Sequence, residues 1–298
     1  MSISLAQNYL KAMDDVYEAA SKTDVLEAAS RDVKFVNANT VQLFKMDMDG
    51  LGNYSRTSGY VGGAVNGSWE TLTLSKDRGR SFQVDAMDDE ETINQAFGNL
   101  AGEFIRTQVV PEVDAYTFSK IAGTSGIQAG TPDALADIYI DAEIDKGIKA
   151  LNEKGVPEEG RILFLSEAAY AALKGKITRT VQNTELGINK TIEYYDNCRV
   201  IHVPQNRFNT AITLSTGGVG DTDGGYTVTA GGYAIHFILL HPSAVKKVTK
   251  LNLPRIFSPM ENQNADAWKF DFRLYYDVFV LANKKDGIYM LRTDVANT

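Results

Sequence analysis

The first thirty residues carry apolar side chains at helical spacing, Leu5, Tyr9, Met13, Val16 and Tyr17, before Ser21 and Thr23 interrupt the run. Apolar positions recurring every three or four residues share one face of a helix, so the segment reads as a short amphipathic helix or arm. Its apolar face packs on its own domain or lies across a neighbouring subunit. From Val33 the period changes to two. Val41, Leu43 and Phe44 lead into a glycine-rich stretch at residues 49–63, and residues 68–85 then alternate in character and are rich in Trp, Thr, Leu, Phe and Val. Gly59, Gly62 and Gly63 are costly inside a packed strand. The pattern therefore predicts two strands joined by a flexible segment, a long hairpin. Such a ribbon buries too little apolar surface to stand alone. Its length must lie on something else.

After the acidic cluster Asp88, Asp89, Glu90 and Glu91, placed where a helix N-terminus favours negative charge, Ile93, Phe97, Leu100, Phe104, Ile105 and Val109 keep helical spacing to Pro111. Val113, Tyr116, Phe118 and Ile121 continue the same face as far as Gly123, and Pro111, which removes one backbone donor, is expected to kink or divide the helix. A second region follows the turn-rich residues 123–132. It predicts a helix from Ala134 to Lys154, a buried strand from Arg161 to Leu165, Ser166 as an N-cap and a short helix from Glu167 to Lys174. Further strands are expected at 199–203, 211–214, 226–229 and 233–241, then at 268–282 and 287–292. The fold class is α+β, with a mixed α/β unit inside it.

Composition narrows the function classes. At 298 residues with 44% hydrophobic and 23% charged side chains, the chain can bury a core without metal or disulfide support. Cys198 is the single cysteine, which excludes an intrachain disulfide and a zinc cluster and fits folding in a reducing cytoplasm. The start lacks the features of a secretory signal, and no stretch approaches the ~20 apolar residues that span a bilayer. A net charge of -8 argues against a chain whose main task is gripping nucleic acid.

Candidate chemistry is sparse. The loop from Gly217 to Gly225 lacks the Lys-Ser/Thr ending of a phosphate-binding loop, and Asp221 and Asp223 repel phosphate. The Asp-rich turns at 47–50 and 221–224 resemble calcium loops, yet Ser58 and Gly232 stand where the bidentate Glu belongs. His202, His236 and His241 show no ligand spacing and read as satisfied core or edge histidines. Cys198 has no protease signature. No cofactor, metal or catalytic residue is therefore expected, and the chain reads as a non-enzyme. The most informative charges are Lys76, Asp77, Arg78 and Arg80, followed closely by Asp88 to Glu91. They are either two solvated runs or contacts in which Arg78 and Arg80 reach carboxylates of a neighbouring copy.

Residues 52–56 (GNYSR), 69–85 (WETLTLSKDRGRSFQVD), 87–92 (MDDEET), 103–107 (EFIRT) and 110–116 (VPEVDAY), with 268–277 (WKFDFRLYYD) and 283–289 (NKKDGIY) near the end, resemble major capsid proteins of tailed bacteriophages with the Hong Kong 97-type fold. The resemblance covers nearly the whole chain and is most specific over residues 50–122. It implies an N-terminal arm at 1–32, then a peripheral domain at 33–129 containing an extended loop at about 45–86 and a spine helix at about 88–122. An axial domain at 130–240 and a peripheral β-layer at 241–298 complete the expectation. The implied protein is an icosahedral virion capsid subunit that self-assembles through pentamers and hexamers in the host cytoplasm. It encloses double-stranded DNA without sequence-specific binding. Its partners are copies of itself, a portal and a separate scaffolding protein, the last because only about thirty residues precede the loop region. Inter-subunit contacts are expected at Trp69, Lys76, Asp77, Arg78, Arg80, Asp88, Asp89, Glu90, Glu91, Glu103 and Arg106. Lys76 lies where some relatives crosslink, but no Asn partner is identifiable and no crosslink is expected. An encapsulin-like compartment shell is the second reading, and a soluble α/β hydrolase or binding protein a distant third. On this reading Arg78→Glu with Arg80→Glu leaves the subunit folded but blocks assembly.

Overall fold

A computed structural model describes residues 21–28, 33–37, 39–87, 95–135, 139–176, 192–218 and 223–297. The expected amphipathic segment before Ser21 and the acidic cluster at 88–91 lie outside the described residues. The chain begins with three strands, β1 (Val33–Phe35), β2 (Thr40–Met48) and β3 (Val65–Thr73), which form one antiparallel sheet in that order. β4 (Lys76–Asp85) follows after only Leu74 and Ser75 but belongs to another sheet. The sequence reads 68–85 as one returning strand; the structure divides it. Leu74 N–H still donates to Asn39 O at 2.8 Å, whereas Ser75 N–H donates to the buried carboxylate of Asp277 at 2.9 Å, and this second bond turns the chain toward a new partner strand.

Two helices come next, α1 (Gln95–Phe104) and α2 (Val110–Ala122), joined by a π-helical turn at Ile105–Val109. Pro111 in the first turn of α2 has no N–H, and its ring clashes with the carbonyl four residues back; widening the preceding turn relieves both. Val110 N–H correspondingly reaches back five residues to Ile105 O. The expected division is present, built as a wide turn that keeps the two helices in sequence.

The second half forms a six-stranded sheet. Its strands are β5 (Gln128–Ala129), β6 (Ile162–Ser166), β7 (Tyr194–Tyr195), β8 (Cys198–Val203), β11 (Tyr233–Leu240) and β14 (Ile288–Ala296), in the order β5-β14-β11-β6-β8-β7. β9 (Ile212–Leu214) and β10 (Tyr226–Val228) pair separately. Because strand side chains alternate, Ile162, Phe164, Ile238, Leu240, Ile288 and Met290 point to one core, while Leu163, Leu165, Phe237, Leu239, Tyr289 and Leu291 point to another. The second core is covered by α3 (Ile140–Glu153) and α4 (Glu167–Lys176). α4 starts where the sequence places it: Ser166 Oγ accepts from Ala169 N–H at 3.2 Å. The terminal strand, expected with the closing β-layer, instead joins this sheet beside β11.

β12 (Val245–Phe257) and β13 (Ala267–Val280) form a long antiparallel pair, and β4 lies on the other side of β13. The apolar side of this three-stranded sheet, Phe270, Phe272, Leu274 and Tyr276, packs on α1 and α2 in the same core as Phe118 and Phe164. Thr23 and Leu26, from the region expected to be an arm, are fully buried. Asp114 on α2, also fully buried, accepts from Thr23 Oγ1 at 2.7 Å, Thr23 N–H at 3.2 Å and Lys22 N–H at 3.1 Å, and sits 3.3 Å from Arg207. With Ser21 Oγ, which donates at 3.2 Å, five donors compensate a carboxylate that would otherwise be costly to bury.

Candidate assembly surface

β2 and β3 pair residue for residue from Thr40↔Thr73 to Met48↔Val65, and residues 49–64 close the hairpin. At its base Val41, Leu43 and Leu74 are buried against Val248, with Leu72, Tyr275 and Phe279 packed around them. Beyond the base that support ends. The strand register and the period of two place Phe44, Met48, Val65 and Trp69 on one face, opposite Leu43, Ser68 and Glu70. On that face Phe44 is 52%, Met48 65%, Val65 66% and Trp69 48% exposed. Phe44 and Trp69, directly opposed, meet edge to face with ring centroids 5.3 Å apart. Gly67 has a structural reason: a Cβ there would stand 3.1 Å from the Phe44 ring, so glycine lets the ring lie across β3.

The tip is folded rather than loose. Asp49 N–H donates to Ala64 O at 3.2 Å, and Asp49 Oδ2 accepts from Ala64 N–H at 2.7 Å, closing the neck. Ser55 and Gly59 then form a small bridge, with Gly59 at φ +80°, a conformation that glycine adopts without strain. Tyr54 and Tyr60 stack edge to face at 4.9 Å across that turn, and Leu51, Tyr60 and Val61 are exposed. Over residues 50–69 the only side chain charged at neutral pH is Arg56. These apolar side chains line up along one face of a projecting ribbon, unlike the scattered apolar residues of an ordinary surface.

Most of the other residues expected at contacts sit elsewhere, engaged within the chain. Lys76 Nζ lies 5.1 Å from the centre of the Tyr116 ring. Asp77 accepts two hydrogen bonds from the Arg273 guanidinium at 2.9 and 2.6 Å, which hold its carboxyl below the ordinary range. Arg78 grips Glu112 on α2 with bonds of 2.6 and 3.0 Å and also donates to Ser215 O at 2.8 Å. Arg80 points the same way: a Cβ added to Gly217 would stand 2.8 Å from its Nη1. These two arginines thus clasp the glycine loop that follows β9 to the α2 side of β4. Glu103 at the end of α1 and Arg106 on the π-helical join pair with each other at 2.7 Å and are exposed. The structure brings Trp69 onto the hairpin face and leaves Arg78 and Arg80 on the body, because β4 pairs with β13 and not with β3. The residues that sequence reasoning missed are Phe44, Met48 and Val65, whose shared face with Trp69 depends on strand register.

Groups capable of chemistry are occupied structurally. Burial pushes the Cys198 thiol up to about 11, with nearby Arg161 opposing, so it is a poor nucleophile near neutrality. His202 Nδ1 lies 2.7 Å from Glu167 Oε1, His236 Nε2 lies 3.0 Å from Asp133 O, and His241 Nδ1 accepts from Ser243 N–H. Among the described residues no cluster of three or more His, Cys, Asp or Glu side chains could hold a metal ion, and no described helix is long and apolar enough to cross a membrane.

No protein-family model matches the chain, and no curated protein matches its sequence. Solved structures do match. A structure from Gordonia phage Cozz aligns over 94% of this chain and 86% of that one with a TM-score of 0.58 at 13% identity. The capsid of cyanophage P-SCSP1u aligns over 87% and 85% with a TM-score of 0.55 at 13% identity. A virus-like particle from Pyrococcus furiosus aligns over 94% and 96% with a TM-score of 0.53 at 12% identity. The mixed α/β architecture is thus of the phage-capsid type, as the resemblance in the sequence implies.

Proposed function

We propose that this chain is the repeating subunit of an icosahedral shell, the major capsid protein of a tailed-phage head that encloses double-stranded DNA. One observation carries the reading: a chain with this fold projects a hairpin on whose apolar face Phe44, Met48, Val65 and Trp69 are each about half exposed or more. Burying such a face on an adjacent copy gains about 25 cal/mol per Å² of apolar surface, and each copy offers both the hairpin and the body that receives it. Repeated around an axis, a heterologous contact of this kind closes a ring. Pentamers and hexamers are the rings an icosahedral shell needs.

On this reading the hairpin is the extended loop, α1 with α2 is the spine helix, the six-stranded sheet with α3 and α4 is the axial domain, and the β12-β13-β4 sheet is the peripheral layer. Trp69, Glu103, Arg106 and the acidic residues 88–91 form the contact set, while Lys76, Asp77, Arg78 and Arg80 set the angle at which the hairpin leaves the body. A net charge of -8 suits a wall that contains DNA without adhering to it. No catalysis or cofactor is needed for that task. Assembly in the host cytoplasm with a separate scaffolding protein and a portal completes the proposal.

A compartment shell is the second reading, supported by the likeness to the Pyrococcus furiosus particle over nearly the full length of both chains. Electron microscopy of the expressed protein, alone and with the separate scaffolding protein this reading calls for, tests the common core of the two. Closed shells are expected, and persistent monomers contradict both. Particles that package DNA favour the phage head, and particles that capture a cargo enzyme favour the compartment.

A further inference from the structure

At one end of the six-stranded sheet, where β6 and β8 begin side by side, a buried cation is only partly satisfied by its own surroundings. Arg161 is 2% exposed. Its Nε donates to Pro157 O at 2.8 Å and its Nη2 to Val156 O at 2.6 Å, both carbonyls of the turn that leads into β6. Nη1 finds no acceptor among the described residues, and no carboxylate among them pairs with this guanidinium. A guanidinium offers five N–H donors, and a charge buried without an opposite one is costly.

Arg161 also lines a cleft of about 670 Å³, together with Glu158, Glu159, Tyr194, Asn197 and Arg199. The tight turn at Asp196 and Asn197, both at positive φ, brings Asn197 and Arg199 to it. β6 and β8 pair with Ile162 opposite Arg199, so Arg161 and Arg199 leave the sheet on opposite faces. They can share a ligand only beyond its end, where the cleft lies. Burial first, and then the nearby cations Lys284 and Arg161, hold the His241 imidazole below its ordinary range. The field felt there is cationic, although the chain as a whole carries a net charge of -8.

We propose that this cleft is a phosphate site, in which a free phosphate accepts from the unused donors of Arg161 and from Arg199, with the Asn197 amide and the Tyr194 hydroxyl beside them. Two guanidiniums suit a tetrahedral, doubly charged oxyanion better than a carboxylate, because each fork can span a different pair of its oxygens. Glu158 and Glu159 oppose the ligand from the rim. Both are exposed, so solvent screens them more than it screens the buried guanidinium, and they lower the affinity without reversing its sign. The site is separate from the hairpin and does not depend on the shell reading.

Isothermal titration of the dissociated full chain with inorganic phosphate, against acetate and chloride at matched ionic strength, tests the proposal. One phosphate per chain is expected, with a dissociation constant of about 1 mM and acetate binding about tenfold more weakly. Arg199→Gln should weaken phosphate about tenfold, and Glu158→Gln should strengthen it about threefold. Both residues are exposed, so these variants keep the fold. Arg161→Lys, which keeps the charge and loses the fork, should weaken binding as well; if it does not fold, the two exposed variants decide alone. Phosphate that binds no better than chloride overturns the proposal. So does binding that Arg199→Gln and Glu158→Gln both leave unchanged, since it then lies elsewhere on the chain.

Discussion

Arg78 on β4 holds Glu112 on α2 through two parallel hydrogen bonds, with both side chains mostly buried. The pair fastens the outer strand of one sheet to the helix that the sheet covers, close beside the π-helical join. Placed at this point it is part of the subunit's own packing, so Arg78→Glu sets two carboxylates against each other. The expectation from sequence that Arg78→Glu with Arg80→Glu acts on assembly alone is therefore revised: Arg78→Glu by itself should cost the subunit about 2 kcal/mol, less than a fully buried pair because the arginine is partly solvated. Denaturant unfolding of the dissociated subunit measures it.

The carboxylate of Asp114 is the second fastening, between the segment at 21–26 and α2. Asp114→Ala strands Arg207, Thr23 N–H and Thr23 Oγ1 without their acceptor, and the predicted loss is about 3 kcal/mol. Deleting residues 2–20 spares these bonds. That truncation is expected to shift the thermal midpoint by only a few degrees while reducing particle yield, as scanning calorimetry and sedimentation would report.

Acid and alkali should each destabilise the subunit. The Arg273 guanidinium lowers Asp77, and hydrogen bonds from Ser81 and Lys269 outweigh desolvation to lower Asp271. Groups lowered in the folded state contribute stability above the ordinary carboxylate value, near 3.9, and lose it as pH falls through the folded value. Tyr116 and Tyr195 shift the opposite way, raised by burial first and then by Asp277 and Asp145. Their contribution is complete below the ordinary phenol value of about 10 and is lost as pH rises beyond it. Burial lowers His241 and raises the Cys198 thiol, so stability also falls as pH drops below the ordinary imidazole value of about 6.5 and as it climbs past the ordinary thiol value of about 8.5. A plateau in the thermal midpoint from about pH 6.5 to 8.5 is expected, and a midpoint flat from about pH 4 to 10 would contradict these shifts.

The hairpin face should matter to assembly and little to the subunit. Phe44→Ser with Trp69→Ser removes apolar surface that is already half exposed, so the subunit should lose less than about 1 kcal/mol while particles disappear from gradient fractions. Leu43→Ser, at the buried base, should cost the fold several times more.

What the sequence conveys here follows the range of the interactions. The hairpin, the helix interrupted near Pro111 and the cap at Ser166 are set by neighbours within a few residues, and all were readable. The break between β3 and β4 was not, because the alternation runs through Leu74 and Ser75 with no glycine or proline, and the partner that redirects the chain is Asp277, far along the sequence. Nor was the place of β14, which depends on pairing with β11. For the site, Trp69 was recognisable from its resemblance, whereas Arg78 and Arg80 looked like hairpin residues until the pairing of β4 with β13 put them on the body.

The most direct measurement follows Trp69 itself. The chain has two tryptophans, so a Trp268→Phe variant reports Trp69 alone. Its emission should be that of a half-solvated indole in the dissociated subunit and should move to shorter wavelength, with loss of quenching by acrylamide, when particles form. Particles whose Trp69 stays as red-shifted and as quenchable as in the free subunit would contradict the claim that this face is covered by another copy.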